Sequence, residues 1–122
     1  MAEIKLGIVE AQFADIIWNH APLTTRELTA LCEKALNWKR TTTYTVLKKL
    51  CDRGIFSTEN SVITAVISKE DFFAIQSEQF VQENYHGSLP AFIAAFTSRN
   101  TPTQEELEQI KKMIAVYEGE NV

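Results

Sequence analysis

The sequence predicts a mostly α-helical protein with a small β-hairpin, in which a domain over residues 1–67 precedes a helical domain over residues 68–122. Amphipathic segments with capping residues recur along the chain. A single pair of β-branched runs flanks a short turn between residues 55 and 67. The charge balance also changes there, because eight Lys/Arg face seven Asp/Glu in the first domain and four face nine in the second.

The first two helices begin at recognisable caps. Gly7 can cap a helix over residues 7–20, and Thr24 opens a capping box with Glu27. The second helix is therefore expected over about residues 24–35. The short connection between the two is typical of packed helices in a small domain.

The third helix, expected from about residue 39 or 40 to residue 53, has two contrasting faces. Thr43, Val46, Leu47 and Leu50 form a stripe with helical spacing. Between residues 38 and 54, five cations stand against one carboxylate, although the whole chain has a net charge of −4. The opposite face carries hydroxyls, a phenol and lysines: Thr41, Thr42, Tyr44, Thr45, Lys48 and Lys49.

Two short β-prone runs, residues 55–58 and 62–67, follow this helix around a turn at residues 59–61. Three short helices followed by a hairpin are typical of a winged helix-turn-helix domain. In such a domain the third helix can enter a DNA groove, where hydroxyls and aromatics reach base edges and lysines reach phosphates. The alternative for this helix alone is an ordinary solvated amphipathic helix.

The second domain is predicted to contain three helices that carry more apolar surface than they can bury. A homodimer would cover this surface, and the alternative is that it folds back on the first domain. The expected dimerisation residues are Phe72, Phe80, Tyr85, Leu89, Phe92, Phe96, Leu107, Ile110 and Ile114.

Several function classes are disfavoured. No apolar run approaches the roughly 20 residues of a membrane span, and the first residues lack signal-peptide features, so we expect a cytoplasmic protein without a membrane segment. Cys32 and Cys51 lack metal-ligand spacing. Because no nucleophile–base set or phosphate-binding glycine loop is present either, we expect no catalytic residues, metal or cofactor.

Short matches to a known family run in order through residues 7–117. They are Glu10, Ile16-Ile17-Trp18, Leu23-Thr24, Glu27-Leu28, Trp38, Thr42, Leu50, Gly54, Phe80, Tyr85-x-Gly87-Ser88, Phe96 and Glu105-Glu106-Leu107. In their order and spacing the chain resembles the penicillinase-repressor family, which includes the β-lactamase and methicillin-resistance repressors and copper-responsive relatives.

The resemblance implies a dimeric winged-helix repressor that binds double-stranded DNA, with the third helix of each protomer in one half of a palindromic operator. By position, the candidates for contact with base edges are Thr41, Thr42 and Tyr44. The candidates for phosphate contact are Lys39, Arg40, Lys48, Lys49 and Arg53. For each lysine the alternative is a solvated surface cation.

The chain departs from the family pattern in its expected DNA-binding surface. Lys39-Arg40-Thr41 stands where Ser-Pro-Lys is common, and Tyr44 stands where arginine is frequent. Arginine can bind guanine through two hydrogen bonds and tyrosine cannot, so we expect a different operator. The turn at Glu59-Asn60-Ser61 replaces a lysine-rich wing tip. A winged-helix adaptor that binds protein instead of DNA therefore stays open as an alternative.

The resemblance also implies a regulatory partner. In classical members a membrane metalloprotease sensor cuts an Asn-Phe bond in the dimerisation region. The matching position here is Ala95-Phe96, so it stays open whether such a sensor is a partner of this protein. The copper-responsive branch usually carries a cysteine-rich C-terminal motif, whereas no cysteine follows Cys51.

Overall fold

The computed structural model describes residues 6–119 and confirms a mostly helical fold with a small sheet. Six helices and three short strands follow one another in this part of the chain. They are α1 (Ile8–His20), β1 (Leu23–Thr24), α2 (Thr25–Leu36), α3 (Arg40–Asp52), β2 (Phe56–Glu59), β3 (Val62–Ala65), α4 (Lys69–Tyr85), α5 (Leu89–Thr97) and α6 (Gln104–Tyr117).

Local chemistry explains where the first helices begin. The Glu27 amide donates to the Thr24 hydroxyl at 3.0 Å, and the Thr24 amide donates to the Glu27 carboxylate at 2.8 Å. This reciprocal pair satisfies two amides that the first turn of α2 leaves without helical partners. At α1 only half of the arrangement can form, because Gly7 has no side chain. Its amide donates to Glu10 Oε1 at 3.1 Å.

The sheet has three strands in the order β1-β3-β2, with both pairings antiparallel. The predicted hairpin corresponds to β2 and β3, which turn at Asn60 and Ser61 with φ values of 51° and 63°. Strand β1 was not predicted, because two residues are too few for an alternating pattern. It pairs Leu23 with Ile63 and fastens the hairpin to the segment that enters α2.

The hydrophobic core formed by the first elements of the chain fixes the orientation of α3. Thr43, Leu47 and Leu50 are buried, so the opposite side of the helix faces solvent. Their apolar neighbours come from α1, α2, the sheet and the start of α4. The fully buried large side chains around them include Phe13, Ile17, Leu28, Ile55, Phe56, Ile63 and Phe72.

The chain divides into two compact units, one ending at Gln79 and the other beginning at Phe80. We expected the boundary after residue 67, but the first part of α4 packs within the first unit. Lys69 Nζ lies 2.6 Å from Asp15 Oδ1. Phe72 is only 2% exposed and packs against Trp18 at a ring distance of 5.3 Å, with the two rings tilted by 49°. Phe72 was therefore wrongly assigned to dimerisation, since core packing leaves it no surface to offer a partner.

The second unit contains the end of α4 together with α5 and α6, and it has little interior of its own. No residue described between positions 80 and 119 is buried. Its aromatic rings contact one another, with ring distances of 5.6 Å for Tyr85–Phe92 and 6.1 Å for Phe80–Phe92. Its large exposed apolar side chains are Phe80, Leu89, Ile93, Phe96, Leu107, Ile110, Met113, Ile114, Val116 and Tyr117.

Candidate nucleic-acid interface

The outward face of α3 presents short hydroxyl side chains. Thr41 and Thr45 lie one helical turn apart, and Thr42 is exposed beside them. The Thr45 hydroxyl donates to the Thr41 carbonyl oxygen at 2.9 Å, as threonine in a helix often does. Thr45 was missing from our base-contact candidates. Residues four apart lie on the same face of a helix, so the spacing from Thr41 could have added Thr45 to the base-contact candidates. We call Thr41, Thr42 and Thr45 the threonine face.

Tyr44 lies at the edge of this face and leans toward α2. Hydrogen bonds with the side chains of Arg40 and Thr25 hold the pKa of its phenol below the ordinary value. The Arg40 guanidinium also lies 5.5 Å from the centre of its ring. The two side chains line an open cleft of about 570 Å³ with Thr25, Arg26 and other residues. Tyr44 is half-buried, whereas the threonine face is exposed.

The five predicted phosphate-binding cations fall into two groups. Lys39, Arg40 and Lys48 are exposed. Arg40 lies over the ring of Tyr44, and the partner of Lys48 is Asp52 at 3.0 Å. Because these two side chains are 79% and 66% exposed, their ion pair is weak and easily exchanged.

Lys49 and Arg53 form the second group, which turns toward α1. Lys49 Nζ lies 2.8 Å from Glu10 Oε2, and Arg53 Nη1 lies 3.9 Å from Glu10 Oε1. The Glu10 side chain is only 20% exposed. Hydrogen bonds from Lys49 and from the Gly7 amide lower the pKa of Glu10.

The hairpin of β2 and β3, which we call the wing, lies beside the C-terminal half of α3. Cys51 Sγ lies 3.5 Å from Thr58 Oγ1, which joins α3 to β2. Glu59, Asn60 and Ser61 at the tip are all exposed. The tip therefore offers one carboxylate and no cation to an approaching ligand.

The remaining predicted dimerisation residues lie in the second unit. Leu89, Phe96, Ile110 and Ile114 are among the exposed ones. Ala95 and Phe96, at the position of the classical cleavage bond, lie inside α5. A protease that needs an extended substrate would have to open this helix locally.

The comparisons with known proteins agree with this architecture. The family model described as Penicillinase repressor matches residues 6–116. A penicillinase repressor from Bacillus licheniformis is 23% identical over 119 residues, which covers 94% of this chain and 93% of that protein. None of the helices described over residues 6–119 has the length and apolar character that crossing a membrane requires. Since the family model spans nearly the whole sequence, the chain belongs to the penicillinase repressor family, a family of transcriptional repressors.

Proposed function

We propose that the protein is a dimeric, sequence-specific DNA-binding repressor that places α3 in the major groove of one half of a palindromic operator. The observation that carries the proposal is the exposed threonine face on a helix whose other side is locked in the core. A major groove is wide enough to admit a helix, and short hydroxyls can donate to or accept from base edges.

Base contact is assigned first to Thr41 and Thr42, together with Thr45. A threonine can offer its hydroxyl to a base edge and its methyl group to the methyl of thymine. Tyr44 is half-buried, and its ring lies beside the Arg40 guanidinium, so contact with a base would require the ring to leave this position. We therefore place Tyr44 at the margin of the base-contacting surface.

Phosphate contact is assigned to Lys39, Arg40 and Lys48. Lys39 and Arg40 lie at the N-terminal end of α3, and Lys48 lies two turns further along the helix. Cations in this arrangement could follow a phosphate strand on either side of the groove. Lys49 and Arg53 would first have to leave Glu10.

The second unit supports assembly into a dimer. Its three helical segments expose most of their large apolar side chains and bury none of the described residues. Units of about 40 residues rarely hold a core without help from another chain, a metal or disulfides. A second copy would supply identical complementary surface about a two-fold axis, which is also the symmetry of a palindromic operator.

A protein-binding adaptor is the second candidate. The wing tip carries Glu59 without a cation, and the net charge of the chain is −4. Both properties weaken attraction to phosphates. An adaptor would use the same exposed helix face to bind protein and would show no preference among DNA sequences.

Selection from a random duplex library at low salt distinguishes the two candidates. We expect enrichment of a sequence with two inverted half-sites. We also expect the enriched duplex to bind far more tightly than a scrambled one in fluorescence anisotropy. Absence of enrichment at micromolar protein would overturn the repressor proposal and favour the adaptor.

A further inference from the structure

The ion pairs between α1 and α3 alter the electrostatics of the proposed DNA-binding surface. Glu10 lies on α1, whereas its partners Lys49 and Arg53 lie on the last turns of α3 and at its end. Two of the five cations predicted to contact phosphate thus have a carboxylate of another helix beside them.

The environment of Glu10 favours a persistent charge there. The carboxylate is 20% exposed, it accepts from Lys49 at 2.8 Å, and it also accepts from the Gly7 amide at 3.1 Å. By contrast, Asp52 is 66% exposed and binds Lys48 only through a neighbouring turn of the same helix. A phosphate that displaced Glu10 would leave this carboxylate without its cation, whereas Asp52 would return to water at little cost.

We propose that Glu10 occupies Lys49, lies beside Arg53 and thereby limits the sequence-independent affinity of the protein for DNA. The inference rests on the proposed function and deepens it. Phosphate contacts are the same for every sequence, so each one lost lowers specific and non-specific binding alike. Glu10 therefore lowers the affinity of the protein for every DNA sequence and leaves the contacts to bases unchanged.

Glu10→Gln is the appropriate substitution. It removes the charge but keeps an oxygen that can accept from the Gly7 amide, so the cap of α1 is preserved. The matched control is Glu106→Gln in α6. The Glu106 carboxylate accepts from the Thr103 amide at 2.9 Å, which is the same kind of cap. Replacing Glu106 by glutamine changes the net charge by the same amount as Glu10→Gln. A cooperative thermal unfolding transition in each variant would show that the variant is folded.

The experiment measures binding to a short duplex of arbitrary sequence between about 50 and 200 mM salt. We expect Glu10→Gln to bind this duplex roughly three- to tenfold more tightly than the parent protein. The slope of log affinity against log salt should be steeper by about one, because each added phosphate contact contributes about 0.9 and Lys49 is the cation released. Glu106→Gln should leave both quantities unchanged.

Lys49→Gln completes a double-mutant cycle with Glu10→Gln. Introduced alone, it should change the salt slope little, because Lys49 is already occupied. Introduced with Glu10→Gln, it should remove about one contact from the gain. If Glu10→Gln leaves the salt slope at the parent value, or if Lys49→Gln alone flattens it by a full contact, the inference is wrong. If the parent protein binds no duplex at any salt concentration, the proposed function itself fails, and the inference fails with it.

Discussion

The indole Nε1 of Trp18 donates a hydrogen bond to the carbonyl oxygen of Ile67 at 3.0 Å. These residues are 49 positions apart, and the bond ties the end of α1 to the segment that leads into α4. The Trp18 ring also packs against Phe56 and Phe72, at ring distances of 5.4 and 5.3 Å. The start of α4 is thus part of the first unit.

Phe72→Ala tests this placement. We expect it to destabilise the first unit by about 3–5 kcal/mol, because a large buried ring is replaced by a cavity. Chemical denaturation monitored by tryptophan fluorescence would measure the loss. Phe73→Ala, at a neighbouring residue that is about half exposed, should cost far less. Equal effects of the two substitutions would contradict the burial of Phe72.

Thr43 provides a second stability test. Its hydroxyl is fully buried, its polar neighbour is the thiol of Cys32, and it forms no well-aligned hydrogen bond among the described residues. Thr43→Val exchanges this hydroxyl for a methyl group of similar size. We expect it to stabilise the protein by roughly 1 kcal/mol, since an unsatisfied buried hydroxyl is costly. A lower midpoint of denaturation would show that the hydroxyl has a good partner.

The pKa of Glu10 predicts how stability depends on pH. Its pKa is lowered from about 4.5 in the folded protein by the Lys49 hydrogen bond and the Gly7 amide, with further contributions from the charges of Lys49 and Arg53. The ionised form is therefore favoured by folding. Its contribution is complete above pH 4.5 and is lost as the pH falls through the lowered pKa.

The difference in unfolding free energy between the parent protein and Glu10→Gln measures this contribution. We expect the difference to be largest near neutral pH and to shrink on acidification below pH 4.5. A difference that stays constant across that range would show that the ion pairs do not stabilise the fold.

Two substitutions on α3 separate base contact from phosphate contact. Thr42→Ala should weaken binding to the selected operator by about 1 kcal/mol and change the preferred bases, with little effect on random DNA. Lys48→Ala should weaken binding to both and reduce the salt slope by about one. Lys112→Ala, which removes the same charge from α6, is the control. If both α3 variants behaved like this control, α3 would not be the DNA-binding helix.

Assembly is tested on α6. Ile110→Asp with Ile114→Asp places carboxylates on its exposed apolar face, and we expect a shift from dimer to monomer in sedimentation. The variant Lys112→Ala changes an exposed position on the opposite side of the helix and should remain dimeric. A parent protein that sediments as a monomer at micromolar concentration would refute the proposed assembly.

Helix starts were predictable because their causes are local. Thr24 and Glu27, three residues apart, form the expected capping box, and Thr103 and Glu106 form another with the same spacing. The register of α3 was also predictable, since its buried stripe repeats with helical spacing.

Features that depend on distant partners could not be predicted in this way. The partner of Lys49 is Glu10, and no local pattern joins residues on separate helices. Phe72 and Phe80 occur in the same apolar helix, yet one is buried in the first unit and the other is half exposed in the second. Apolar periodicity shows which side chains prefer burial but not which surface covers them.

None of the described residues of the second unit is buried, and this has a consequence for gene dosage. If its helices are completed by another chain, the folded repressor forms only when two polypeptides meet. At low expression its amount would then rise with the square of the number of chains synthesised. Small changes in synthesis or turnover would produce larger changes in promoter occupancy, and the regulated promoter would respond sharply without any bound effector.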